Sequence, residues 1–570
     1  MIIKDINNHE TVLFEPEDQR ERKYLEAFPG LLREGLYFFS PCKPRVIHNL
    51  YTRISKYIKP SQIKYTPFIQ EMLKGSFPLK ELPDTFRFHT KPLEHQLQAL
   101  RYMYTQGSCG LLLDPGLGKT FIILNYIYLM GFNKSIVICP KSLLFVWEEE
   151  VLKHRPELSV HIIKSTNWDE ELLGVNTSQI IVVNYDKAVT LEEQLSKIGT
   201  QFLAIDEALI KNHQTERTKS ITRLGRKVPY KTIMSGTLIN NGPLDMFAPL
   251  RFIEPALVGE GITKFKARYA ICAKQNQNIV LGFRDMPEIQ SMIASSSIVM
   301  KKKEWLKDLP GKEFNIIKCR LEGDTLSAYN SLVSDWCTTI QGEFLEVDNP
   351  LTRLGKLLQI ANGFSYINEK DPLEELLEDR VKITKRKTLF FEQQSKIRAL
   401  HDLINDPERL GNRRSIIWYN FQAELEILEV YLKKQGTKYL VIQGGEKDVG
   451  GKINLFNNDP LYRFLLGQAS TIRYGVTVMG KKEDDTSEFI PEFSTTISDE
   501  IFYSLNFSLE VFTQQTDRIN RIGATKLSRY WLLLTNSCIE DRVYNALESK
   551  TSISKSLLID ISEELKLLEV

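Results

Sequence analysis

A chain of 570 residues is about three to four times a typical ~150-residue domain, so one hydrophobic core cannot organise it and two or more are expected. Its 42% apolar and 26% charged residues exclude a disordered chain, and Lys plus Arg exceed Asp plus Glu by only 74 − 72 = +2, so any nucleic-acid surface must be a local patch. Seven scattered cysteines without a C-x-x-C pair exclude zinc-ribbon and redox motifs, and neither a signal peptide nor a run of ~18 apolar residues appears; a soluble intracellular protein is expected.

Residues 1–90 are punctuated by Pro29-Gly30, Pro41, Pro44, Pro60 and Pro67 and read as a separate accessory module. Within it, Lys43, Arg45, Arg53, Lys56, Lys59, Lys64, Lys74 and Lys80 face a single acid, Glu71, with Tyr51, Tyr57 and Tyr65 interleaved. Cations mixed with aromatics make this module a candidate DNA-binding surface. A rhythm of short apolar runs and longer helical stretches follows. The first series is Gly110–Leu113, Ser135–Cys139, Ile180–Val183, Phe202–Ile205 and Lys231–Met234, with a helix over Phe121–Met130. The second is Ser415–Tyr419, Tyr439–Ile442, Arg463–Leu466, Glu500–Ser504 and Arg529–Leu534. Runs of this kind are parallel strands buried on both faces, so two α/β sheet domains are expected, over 91–255 and 386–570. Residues 256–385 lack the rhythm and read as helical insertions and a linker, with amphipathic pieces at Thr325–Thr339 and Thr352–Ala361.

Two motifs carry chemistry. Asp114-Pro115-Gly116-Leu117-Gly118-Lys119-Thr120 joins the first strand to a helix, which surrounds a phosphate with backbone N–H groups and a helix N-terminus. Lys119 then serves the β and γ phosphates of a nucleotide and Thr120 offers a hydroxyl to Mg²⁺. The loop has Leu113 where the strict pattern has Gly. Asp206-Glu207 ends the strand Phe202–Ile205, at the crevice where ligands of parallel sheets bind. There Asp206 can hold Mg²⁺ through water and Glu207 can polarise an attacking water.

Asp206-Glu207-Ala208-Leu209-Ile210-Lys211-Asn212 resembles the D-E-A-H-x-[IL]-K-N motif of Swi/Snf-type ATPases of helicase superfamily two. Ser235-Gly236-Thr237-Leu238-Ile239-Asn240 is similar to that family's [TS]-G-T-P-x-x-N segment, and Cys139-Pro140-Lys141-Ser142-Leu143-Leu144 with Trp147 to its C-P-x-S-L-x-x-x-W. Pro92–Gln96 resembles the P-Y-Q element whose glutamine reads adenine, here Gln96. Lys301–Glu304 with Asp308–Lys312 resembles the brace between the two sheet domains, and Ile416–Phe421 the opening strand of the second. Gln514–Gly523 resembles the last helicase motif, and Ile539–Asp541 with Lys550 the segment that closes it, so the order holds over 91–550.

The resemblance implies two RecA-like domains in tandem, with helical insertions and a small N-terminal module. It implies an ATP hydrolase using ATP and Mg²⁺ that translocates on DNA, double-stranded or branched, remodelling forks, branches or bound proteins. Nucleotide binding falls to Gln96, Pro115, Gly116, Leu117, Gly118, Lys119 and Thr120, coupling to Ser235, Gly236, Thr237 and Gln514, and DNA contact to Lys141, Ser142, Lys211, Asn212 and Asn240. Arg518 and Arg521, three apart and so expected on one helix face, become arginine fingers. Leu209 replaces the family's His, Ala524 its final Gln, and Ser470–Arg473 its paired glycines; 480–499 reads as a polar insertion. A strand-separating helicase and an ATP-switched DNA-binding protein with little turnover stay open as alternatives. A monomer without membrane contact is expected, cytoplasmic in a bacterium or phage-infected host and nuclear in a eukaryote.

Overall fold

The computed structural model describes residues 1–548 apart from 7–10, 28–31, 35–36, 42–43, 56–57, 59, 74–78, 208–209, 211, 237–242, 260, 274–279, 336, 347–349, 369–385, 447, 470, 472–477, 479–492, 507, 522, 538 and 546. It divides into two compact units, Met1–Lys307 and Asp308–Thr551. No described helix is long and apolar enough to cross a membrane.

The first unit opens with β1 (Ile2–Ile6), β2 (Thr11–Glu15), β3 (Leu32–Glu34), β4 (Tyr37–Pro41) and β5 (Lys64–Tyr65), a five-stranded sheet in the order β3-β4-β2-β1-β5. The helix Pro44–Ile54 buries Val46, Ile47, Leu50 and Ile54 at helical spacing. These residues share one core cluster with Leu250, Leu257, Ile289 and Met292 of the following domain. Arg53, buried in the same contact, donates to Glu288 at 2.5 Å and to the Leu257 carbonyl at 3.0 Å. The expectation of a separate N-terminal module is therefore corrected: its apolar helix face is completed only by the rest of the unit.

β6 (Cys109–Leu113), β7 (Ser135–Cys139), β8 (Val160–Ile162), β9 (Ile180–Asn184), β10 (Phe202–Ile205) and β11 (Tyr230–Met234) follow. After the hairpin of β12 (Ala270–Cys272) and β13 (Val280–Phe283) comes β14 (Ser297–Met300). The main sheet is parallel throughout, in the order β14-β6-β11-β10-β7-β9-β8.

In the second unit, β15 (Lys312–Cys319) precedes two hairpins, β16 (Cys337–Ile340) with β17 (Glu343–Glu346) and β18 (Phe364–Asn368) with β19 (Arg386–Phe390). Then come β20 (Arg414–Tyr419), β21 (Tyr439–Ile442), β22 (Phe464–Gln468), β23 (Ile497–Phe502) and β24 (Ser528–Thr535). They form a parallel sheet in the order β15-β24-β23-β20-β22-β21. Ile416 and Trp418 pack into one core layer, Ile417 and Tyr419 into the other, as a sheet covered on both faces requires. Both units are α/β with RecA-like parallel sheets.

Residues 256–385 are not mainly helical. They contribute β14 to the first sheet and β15 to the second, and the expected helix to Thr339 stops at Asp335 before β16. Cys337-Thr338-Thr339-Ile340 is rich in β-branched residues, which favour a strand once the helix has ended.

Candidate active site

Because β6, β11, β10 and β7 are consecutive and parallel, their C-terminal ends lie at one edge of the first sheet. That edge receives the loop before Lys119, Ser235-Gly236, Asp206-Glu207 and Pro140-Lys141, the four segments singled out in the sequence.

In the loop, Gly116 and Gly118 have φ of 89° and 78°, the left-handed region that side chains disfavour. A Cβ on Gly118 would also collide with the Gln96 amide. Lys119 starts the helix Lys119–Met130, and its ammonium donates to the Leu113 carbonyl at 3.1 Å. Thr120 is half-buried. Gln96 accepts from the Leu93 N–H at 3.0 Å and donates to the Leu117 carbonyl at 3.5 Å, while His95 reaches the same carbonyl at 3.0 Å. Gln96 and His95 thereby tie the first helix to the loop. Burial holds the His95 imidazole below its ordinary pKa.

The loop is also fixed from β14, a strand the sequence did not reveal. Asp114 accepts from the Lys302 N–H at 2.9 Å and stands 3.6 Å from the Lys301 ammonium. Gly236 closes on the loop from β11, since a Cβ there would lie 2.6 Å from Pro115 Cδ. Ser235 donates its N–H to the Leu111 carbonyl at 3.1 Å.

Asp206 is buried and accepts from the Trp147 indole at 3.0 Å. Burial, reinforced by the Glu207 carboxylate and opposed by the Lys119 ammonium, pushes its pKa to about 7. Lys119 and Asp206 are thus within electrostatic reach of each other. Glu207 takes φ 49°, a left-handed conformation for a residue with a side chain, of order 1–3 kcal/mol in strain. The Tyr185 hydroxyl stabilises this turn by donating to the carbonyls of Asp206 at 2.8 Å and Glu207 at 3.2 Å. Tyr185 carries no motif signal; only the fold brings it here.

Lys141 and Ser142 are exposed on the 3-10 turn Lys141–Leu143, and Asn212 is exposed, its carbonyl oxygen accepting from the Gln214 N–H at 3.0 Å. Lys211, Thr237 and Asn240 lie outside the described residues, as do Leu209 and most of the glycine-poor stretch near 470–477.

In the second unit the two arginines do not share a helix face. The helix Leu509–Thr516 ends before them, and both lie in the bent segment that follows. The Tyr530 hydroxyl takes the Thr516 carbonyl at 2.5 Å, and Lys312 pairs with Asp517 at 2.8 Å, so tertiary contacts turn the chain out of the helix. Arg518 is buried and Arg521 half-buried, with Arg521 Nε donating to the Asp517 carbonyl at 2.9 Å. Gln514 is buried, and neither atom of its amide finds a hydrogen-bond partner.

Residues 95–370 match the family model of the SNF2-related domain. The chain carries an SNF2-related domain, of the Swi/Snf type of helicase superfamily two. Relatives of the SNF2-related chain include the probable ATP-dependent DNA helicase CHR12 of Arabidopsis thaliana, 22% identical over 494 residues, 81% of this chain and 42% of that protein. The human DNA repair and recombination protein RAD54B is 23% identical over 573 residues, 90% of this chain and 60% of its own length. An uncharacterized ATP-dependent helicase, MG018 of Mycoplasma genitalium, is 23% identical over 465 residues, 79% of this chain and 40% of that protein. The SNF2-related chain thus spans roughly two to three fifths of the curated relatives it matches. Among solved structures, the Sulfolobus solfataricus SWI2/SNF2 ATPase core in complex with dsDNA aligns with 86% of this chain and 97% of its own at 21% identity and a TM-score of 0.38.

Proposed function

We propose that the chain is an ATP-hydrolysing motor that moves along double-stranded DNA. The observation that carries this reading is the common edge at which four neighbouring parallel strands deliver Lys119, Ser235-Gly236, Asp206-Glu207 and Lys141. In it, the loop's backbone N–H groups and Lys119 bind the phosphates of ATP, and Glu207 orients the attacking water. The donor set fits Mg²⁺. Thr120 Oγ1 and an Asp206 oxygen are hard donors of the kind that hold this ion with several waters retained, and a carboxyl pushed to about 7 by burial is one that a nearby cation would ionise. Such an ion supplies charge neutralisation at the phosphates. Arg518 and Arg521 are read as the guanidinium groups that sense the γ-phosphate, and the Gly236 contact with Pro115 as the relay of loop state to β11.

The test is steady-state ATPase with and without duplex DNA. Turnover is expected to rise severalfold with duplex, and Lys119→Ala to lower it at least ~100-fold, the scale at which a phosphate-binding cation acts in transfer. Wild-type turnover equal to that of Lys119→Ala would defeat the motor reading in favour of a switch. Triplex displacement without fork unwinding is the expected signature of translocation.

A further inference from the structure

A groove of the first unit lies outside the catalytic edge, between the helices Glu216–Arg226 and Phe247–Ile253. It encloses a cavity of about 220 Å³ lined by His213, Lys219, Arg223, Arg226, Phe247 and Arg251 among others, with no carboxylate in the lining. Arg223 is neutralised: Glu192 accepts from it at 2.7 and 2.6 Å, and Glu216 at 2.8 Å. Lys219 and Arg226 are exposed and Arg251 half-buried, and none of these three forms an ion pair with a described residue. The cavity therefore holds three uncompensated cations in a chain whose net charge is only +2. His213 registers the same potential, since burial and then Arg251 and Lys219 keep its imidazole below its ordinary pKa.

We infer that this groove is a phosphate-binding site whose occupant is the backbone of duplex DNA. The inference rests on the motor reading above and adds to it a contact away from the nucleotide. The lining selects phosphate over a base or nucleoside. Its only aromatic ring besides His213 is Phe247, which is 1% exposed and offers no stacking face. Lys219 and Arg226 are seven residues apart on one helix, about 10 Å along its axis, or roughly three nucleotide rises of 3.4 Å along a strand. A run of backbone phosphates matches that ridge, whereas a single free phosphate would engage only part of it. The placement also has a consequence for coupling. His213 follows the segment leaving Asp206-Glu207, and Phe247 and Arg251 follow the segment leaving Ser235-Gly236. A phosphate held here draws together the two segments that run back to the catalytic edge.

The experiment compares the full chain with the triple variant Lys219→Gln, Arg226→Gln and Arg251→Gln, and with Arg226→Lys, by duplex binding across a salt series. ATPase without DNA is the control, since none of these residues is in the catalytic edge. Loss of one phosphate contact is expected to flatten the slope of log K against log salt by about 1, alike for unrelated duplex sequences. DNA-free ATPase should be unchanged, and Arg226→Lys, which keeps the charge, should keep the wild-type slope. An unchanged slope in the folded triple variant overturns this site while leaving the motor intact. Wild-type chain that binds no duplex overturns both readings. Wild-type binding of inorganic phosphate that disappears in the triple variant, with the DNA slope unaltered, assigns the groove to a small anion and overturns the DNA occupant.

Discussion

Glu500 is wholly buried on β23, with one carboxyl oxygen accepting from the Trp418 indole at 3.0 Å and the other, Oε1, without a partner. Burial outweighs that hydrogen bond and the attraction of Lys312 and Arg518, and lifts its pKa from 4.5 to about 8. The unfolded chain gives up this proton near pH 4.5 and the folded chain only near pH 8, so this residue's contribution makes stability fall as pH rises between those values. Glu500→Gln keeps the indole bond and removes the linkage, so it is expected to flatten that slope and to raise stability at pH 7 by roughly 3 kcal/mol. Urea unfolding of both proteins at pH 5 and pH 7 reads it, and a variant weaker than wild type at pH 7 contradicts it. Much at this scale was legible: Lys119, Thr120, Asp206 and Glu207 announce themselves by residue type and order. Their partners do not. Trp147 and Trp418 meet Asp206 and Glu500 across 59 and 82 residues of chain, and no local pattern encodes such a meeting.

At the scale of elements, interior strands were legible and edge strands were not. All ten expected strands exist because a strand buried on both faces must be a continuous apolar run. β15 escapes that rule: as an edge strand it interleaves Lys312, Glu313, Asn315 and Lys318 with its apolar residues. β14 is four residues long and follows the helix Met286–Ser296 without a break, so in sequence it reads as more helix. Its seat is tight. Ser297 pairs with Gly110, and a Cβ on Gly110 would stand 2.5 Å from Ser297 Oγ and 3.1 Å from its Cβ. Gly110→Ala is therefore expected to cost about 1–3 kcal/mol, the range for overpacking a close-packed interior. Adding Ser297→Gly removes the obstructing atoms and should recover much of the loss, a coupling that a double-mutant cycle in urea measures. Additive costs would mean that the two strands do not press on each other. The arginine segment failed for a related reason: three-residue spacing suits a helix, but Tyr530 and Lys312 hold the chain outside one, and both are remote in sequence.

At the scale of the whole molecule, the N-terminal residues change standing from appendage to structural part of the first unit. The basic stretch that suggested a DNA surface is partly consumed by folding: Arg53 is buried against Glu288, Lys64 pairs with Glu17 at 2.8 Å, and Lys80 lies over the Tyr104 ring at 5.6 Å. The side chains of Lys43, Arg45, Lys56, Lys59 and Lys74, and Tyr57, lie outside the described residues. Glu288 also receives two bonds from Arg268, at 3.0 and 2.9 Å, and its carboxyl sits below the usual range because the two guanidinium groups overcome burial. Removing Arg53 leaves Glu288 half-compensated, so Arg53→Met is expected to cost about 2–4 kcal/mol, short of the 3–5 kcal/mol typical of a buried pair broken outright. Since Ile47, Leu50, Ile289 and Met292 belong to one core, that loss should appear in a single transition. Hydrogen exchange read at peptides of β1–β2 and of β6–β11 is expected to speed up together in Arg53→Met. Faster exchange confined to residues 1–73, with the main sheet unaffected, would restore the independent module and free those cations for DNA.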